Sequence, residues 1–205
     1  MGVGRIYLAR HFATAADDEE QVIAGQDDDK PLSARGQDQA VKLMGKMPEH
    51  FKEAYASPTT RTMQTAEIII GENQTRLHAN QKLVEAYAGT WEGKTWEEAE
   101  QLGPPGHVAA LNADPWVTGY PGGENLSAVC LRVLPLLWRL AEVHEDHDVL
   151  VVTHKQVMRA IISFLGPNFI MAAARKISVP LGSYAILGWD GELFLESVDI
   201  RILGA

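Results

Sequence analysis

Four short apolar runs constrain this chain more than any other feature: Ile6-Tyr7-Leu8-Ala9, Ala54-Tyr55-Ala56, Leu77 with its neighbours, and Val149-Leu150-Val151-Val152. Each stops abruptly at polar residues, as strands buried on both faces of a sheet do. Helical spacing fills the gaps. Ala40, Val41, Met44 and Met47 follow a Ser33 cap; Met63, Ala66, Ile69 and Ile70 follow Pro58-Thr59; Met158, Ile161, Ile162 and Leu165 precede Gly166-Pro167. Strands alternating with helices place the chain in the α/β class, as a three-layer α/β/α sandwich with a mainly parallel central sheet.

The stretch 93–123 breaks this rhythm. Pro104-Pro105-Gly106, Asp114-Pro115 and Tyr120-Pro121-Gly122-Gly123 punctuate one short helical piece near 96–102, so it is expected to be a helical cap inserted over one end of the sheet. A long helix is expected over about 124–143, with Leu126, Val129, Val133, Leu136, Leu137 and Leu140 inward and a kink at Pro135. Segments 184–189 and 193–198, joined by Asp190-Gly191, read as a hairpin. At 205 residues the chain fits one domain, 1–205.

A net charge of −9 repels polyanions, which argues against nucleic acid or an anionic membrane as a partner; an anionic ligand would need a local basic pocket. The single Cys130 rules out a disulfide within the chain and suits a reducing compartment. No apolar run reaches the roughly 18 residues of a spanning helix, and no signal-peptide core precedes Ile6. A cytoplasmic protein is expected. Nothing in the sequence decides between a monomer and a homodimer.

In an open parallel sheet, ligands sit beyond the carboxyl ends of the strands. Here the first strand leads into Arg10-His11, the second into Ser57-Pro58-Thr59-Thr60-Arg61, and the fourth into Thr153-His154, so two arginines and two histidines are expected at one sheet edge. Arginine offers a planar fork of donors matched to phosphate oxygens, and a neutral imidazole against such a phosphate is a competent nucleophile. Glu85, after the third strand, is placed to protonate a leaving alkoxide.

This arrangement resembles the histidine phosphatase superfamily, the phosphoglycerate-mutase-like enzymes, over most of the chain. Its Arg-His-Gly-x-Thr motif corresponds to Arg10-His11-Phe12-Ala13-Thr14, and its Gly…Asp-x-Pro-Leu-Thr segment to Gly25 through Pro31-Leu32-Ser33. Ser57, Arg61, Thr65 and Ala66 match a third motif; Leu83, Glu85 and Gly89-Thr90-Trp91-Glu92-Gly93 match a fourth. Pro121-Gly122-Gly123-Glu124-Asn125 and Val152-Thr153-His154-Lys155-Gln156 match the last two. The resemblance implies that His11 is the phosphorylated nucleophile and Glu85 the general acid, later the base for water. It implies that Arg10, Arg61 and His154 clamp the phosphate, with His154 cationic or at least donating.

The departures from the family pattern carry information too. Phe12 stands for a glycine and is expected to narrow or line the pocket; Asp17 stands where many relatives carry Asn. Lys155-Gln156 replaces Gly-Gly, and Lys155 can strengthen phosphate binding. The loop 25–31 is one residue longer than usual and holds Asp27-Asp28-Asp29, read as a solvated turn. His144-Glu145-Asp146-His147 reads as a solvent-facing connection rather than a metal site, and Cys130 as a buried core thiol. Trp91, Trp96, Trp116, Phe12 and Tyr120 cluster around the site, where some are expected to line a pocket for an organic leaving group larger than glycerate.

The expected function is metal-independent hydrolysis of a small phosphorylated metabolite, without a cofactor. Mutase-type phosphoryl transfer is the alternative within the family. The chain ends at Ala205 soon after the hairpin, without the mutases' longer elaboration, which favours hydrolysis. From another class, Phe12, Asp17 and Lys155-Gln156 motivate a phosphate-ligand binding module without turnover.

Overall fold

The computed structural model describes residues 4–15, 22–26, 29–166, 174, 176–199 and 201–202. Strands β1 (Ile6–Arg10), β2 (Glu53–Ala56), β3 (Arg76–Ala79) and β4 (Val149–Thr153) pair in parallel, in the order β3-β2-β4-β1. A two-residue β5 (Ile177–Ser178) precedes the hairpin of β6 (Tyr184–Trp189) and β7 (Leu193–Asp199), which extends the sheet antiparallel beside β1. A final two-residue strand, β8 (Arg201–Ile202), pairs with β5 in a separate ladder.

Every residue of β4 is buried, and its alternation divides the core. Val149 and Val151 face one hydrophobic cluster, Leu150 and Val152 the other. Helices α1 (Ala34–Met44) and α2 (Thr60–Ile70) supply Ala40, Leu43, Ala66, Ile69 and Ile70 to the second cluster. Two short helices, α3 (Trp96–Leu102) and α4 (His107–Ala113), precede α5 (Leu126–Val143) and α6 (Lys155–Leu165); α5 and α6 give Val129, Val133, Leu137, Val157, Met158 and Ile161 to the first. The sheet is thus covered on both faces, giving three layers. Among the described residues no helix is long and apolar enough to cross a membrane.

Local chemistry sets the boundaries. Ser33 caps α1 by accepting from the Gly36 amide, and Asn125 caps α5 by accepting from Ala128. Asp29, expected in a solvated turn, is exposed but accepts hydrogen bonds from the amide and hydroxyl of Thr60 at the start of α2. Asp17, Asp27 and Asp28 lie outside the described residues.

The stretch 93–123 contains two helices rather than one. Gly106, at φ 76°, starts α4 where Pro104-Pro105 suggested only a break. Leu111, Trp116 and Tyr120 root the stretch in the first core cluster. Its far end is locked to the turn after Glu85: Thr90 donates to the Pro121 carbonyl at 3.1 Å, and a Cβ on Gly89 would sit 2.1 Å from that oxygen, at a φ of 58°. Only glycine fits there. In α5, Leu136 is half-buried and packs against the first cluster, in keeping with the inward position expected, and Ala141 is buried as well. His144 is also buried rather than solvent-facing, within 3.3 Å of the Tyr55 hydroxyl.

Candidate active site

Strand register assembles the site. Arg10 pairs with Thr153 and Ala56 with Val152, so the residues that follow β1, β2 and β4 emerge side by side. The ladder continues a step further: the His11 amide donates to the Thr153 carbonyl at 3.0 Å, and the Ser57 amide to that of Val152 at 3.0 Å. Arg10 is itself anchored by its guanidinium, which donates to the Val179 carbonyl at 2.6 Å. Arg61, in the first turn of α2, is buried to 3% exposure.

The two imidazoles lie edge to face, with ring centroids 5.2 Å apart. Their proton positions follow from their partners. The Phe12 carbonyl, 2.8 Å from His11 Nδ1, can only accept, so Nδ1 carries the hydrogen and Nε2 keeps its lone pair. Arg61 can only donate, so at 3.4 Å it makes His154 Nδ1 an acceptor; His154 Nε2–H then donates to Ser57 Oγ at 2.9 Å.

Burial, followed by the charges of Arg10 and Arg61, holds His11 well below the usual histidine range. His154 is lowered the same way, by burial first and then by His11, Arg61 and Arg10. Of the two forms expected for His154, the structure favours the neutral donor over the cation.

Arg10, His11, Arg61, Glu85, His154 and Lys155 all line one cavity of about 220 Å³, so six of the seven expected site residues converge. Phe12 does not. Its side chain is buried in the second hydrophobic cluster, where its ring packs against the backbone of Gly182. Of the other aromatics, Trp96 and Tyr120 reach the cavity, whereas Trp91 and Trp116 are buried in the first core cluster. Cys130 is a buried thiol pushed up to about 12 by desolvation.

The Glu85 carboxylate accepts from its neighbour Ala86 at 2.8 Å and from the Gln156 amide in the first turn of α6 at 3.1 Å. Gln156 thus keeps an amide donor where the family carries glycine, and its side chain donates to the Tyr120 hydroxyl at 3.0 Å. Arg132, on α5, fixes the same loop from behind, donating to the carbonyls of Lys82, Val84 and Glu85 and to the Glu124 carboxylate. Sequence reasoning gave Arg132 no role. Ser57 and Gln156 lay inside recognised motifs, and that placement was the available signal for them.

This arrangement provides guanidinium forks for a tetrahedral anion, an unprotonated imidazole nitrogen, and a carboxylate, all in one small cleft. The chain matches the histidine phosphatase superfamily (branch 1) over residues 6–197. It is 31% identical over 134 residues to phosphoserine phosphatase 1 of Hydrogenobacter thermophilus, covering 65% of this chain and 63% of that protein, less than two thirds of its length. It is 28% identical over 163 residues to the adenosylcobalamin/alpha-ribazole phosphatase of Escherichia coli, covering 78% of each chain. The solved structure of Bacillus stearothermophilus YhfR superposes with a TM-score of 0.85 at 25% identity, over 98% of both chains.

Proposed function

The chain belongs to the histidine phosphatase superfamily, and from that premise we propose that it hydrolyses a small phosphomonoester through a phosphohistidine at His11. In the first step His11 Nε2 forms a bond to phosphorus while the ester P–O bond breaks, and the leaving alkoxide takes its proton from Glu85. In the second, the Glu85 carboxylate takes a proton from water, the resulting hydroxide attacks phosphorus, and the P–N bond breaks to release phosphate and neutral His11. Arg10 and Arg61 neutralise the phosphoryl oxygens, so the charge stabilisation often given by a metal comes from side chains.

The observation that carries this reading is the His11 tautomer: the Phe12 carbonyl holds the proton on Nδ1 and leaves Nε2 available, in a cavity shared with Arg10, Arg61 and Glu85. The phosphatases named among the relatives support hydrolysis as the outcome. In this reading the chain acts as one cytoplasmic domain, and the stretch 93–123 covers the cleft. Turnover of p-nitrophenyl phosphate is the test. It is expected to survive chelation and to be abolished by His11→Ala; activity retained by that variant overturns the proposal.

A further inference from the structure

Tyr120 stands on one wall of the cleft that holds His11, and its surroundings fix it there. Its amide donates to the Glu124 carbonyl at 3.2 Å, its carbonyl accepts from Gly123 at 2.8 Å, and its ring meets the buried Trp91 edge to face, with centroids 6.1 Å apart. The residue is 9% exposed, so its hydroxyl has little bulk water to turn to.

A chain of three side chains sets the direction of the hydroxyl proton. Arg159 can only donate; it is held on the Ile177 carbonyl at 3.1 Å, and its guanidinium lies 3.2 Å from Gln156 Oε1. That contact decides the orientation of the Gln156 amide, whose nitrogen then donates to the Tyr120 oxygen at 3.0 Å. Tyr120 therefore accepts from Gln156 and keeps its own proton to give. Among the described residues no acceptor for that proton stands within hydrogen-bond distance. Each link polarises the next, which makes the terminal O–H a better donor. Burial first, and the nearby Glu85 charge second, push the Tyr120 hydroxyl up to about 12, so the proton stays in place across the neutral range.

Gln156 holds Glu85 as well. Its backbone amide donates to the Glu85 carboxylate at 3.1 Å, so a single residue presents that carboxylate and the Tyr120 hydroxyl to the same cleft. We propose that Tyr120 is a further catalytic residue, whose hydroxyl donates a hydrogen bond to the departing ester oxygen beside Glu85 and stabilises the charge that builds there as the P–O bond breaks. The proton transferred to that oxygen is still the one from Glu85, and Tyr120 keeps its own throughout. The proposal deepens the hydrolase reading and rests on it for the position of the ester oxygen. Gln156 stands where the family carries glycine, and aiming Tyr120 gives that departure a role.

Tyr120→Phe removes the hydroxyl and leaves the ring to pack. Its single-turnover rate with an alkyl phosphate is expected to fall by about 10-fold, as the loss of one such donor provides. The nitrophenolate burst from p-nitrophenyl phosphate should be nearly unchanged, because that leaving anion is already stable. Gln156→Leu leaves Tyr120 present but unaimed and should show the same selective loss in smaller measure. A loss shared equally by both substrates, or no loss with the alkyl phosphate, overturns the proposal. In a Glu85→Gln background the alkyl oxygen departs with its full charge, so Tyr120→Phe is expected to cost a larger factor than in the wild type; equal factors in the two backgrounds also overturn it. Turnover that survives His11→Ala counts against the hydrolase reading itself, whereas His11-dependent turnover with an unselective Tyr120→Phe counts against Tyr120 alone.

Discussion

The imidazoles of His11 and His154, far apart in the sequence, meet with ring centroids 5.2 Å apart because β1 and β4 pair in parallel with Arg10 opposite Thr153. At that separation, in a buried site flanked by two guanidiniums, two imidazolium ions would repel strongly. Both rings are accordingly held neutral, and their hydrogen-bond partners give them different tautomers: Nδ1–H on His11, Nε2–H on His154.

Stability should therefore fall in mild acid. The unfolded histidines have a pKa of about 6.5, and the folded values lie well below it. Above that pH both states carry neutral rings and no penalty arises. Below it the unfolded chain binds protons that the folded chain excludes, so each histidine removes up to about 1.4 kcal/mol per pH unit until its folded pKa is reached. Thermal unfolding followed from about pH 7.5 down to 5 should show this fall, with a shallower slope in His11→Asn. A slope unchanged by that substitution would show that His11 is not held neutral.

Glu85 is assigned to protonate the leaving group, so its removal should matter in proportion to the leaving group's basicity. Glu85→Gln is expected to slow an alkyl phosphate by about 10²–10⁴-fold. The first-turnover burst of nitrophenolate from p-nitrophenyl phosphate should persist, since that anion leaves without a proton. Equal loss of both in single-turnover measurements argues against the assignment.

Arg132 is expected to position Glu85. It grips the carbonyls of Lys82, Val84 and Glu85 from the far side of the loop. Arg132→Met is expected to reduce alkyl phosphate turnover by about 10-fold and stability by about 1–3 kcal/mol, because Glu124 and the loop carbonyls lose their donor. The nitrophenolate burst should be spared, as in Glu85→Gln. A merely structural role would lower both substrates alike.

Phe12 and Gly182 form a packed pair: a Cβ on Gly182 would sit 1.9 Å from the Phe12 ring, at a backbone φ of 71°. Gly182→Ala should destabilise the protein by about 1–3 kcal/mol through overpacking and backbone strain. Combined with Phe12→Ala, the loss in thermal unfolding should be smaller than the sum of the single effects. Strict additivity would mean that the two do not meet.

Much of this architecture was legible in the sequence because its signals are local and strong. The runs 6–9 and 149–152 can be satisfied only in a sheet covered on both faces, and Asp190-Gly191 flanked by apolar segments marks the hairpin found between Trp189 and Leu193. The candidate site was legible in part because Arg10, His11, His154 and Lys155 sit at or just beyond the ends of β1 and β4. Phe12 was misplaced for a geometric reason: near the end of a strand, successive side chains point to opposite sides, so the neighbour of a residue facing the cleft faces the core. Helix α4 was hidden behind Pro104-Pro105-Gly106 and buries only Leu111, too little to impose a period. Arg132 gave no signal because a basic residue on a helix whose buried positions are apolar reads as solvated; only the tertiary fold brings residues 82–85 to it.

The most direct test of the central claim is to trap the covalent intermediate. Glu85→Gln protein mixed with an aryl phosphate, quenched under alkaline conditions and mapped by mass spectrometry, should carry a phosphoryl group on His11, and the adduct should be absent when His11→Ala is added. A phosphoryl group on another residue, or turnover with no enzyme-bound phosphate and inversion at phosphorus, would contradict the account.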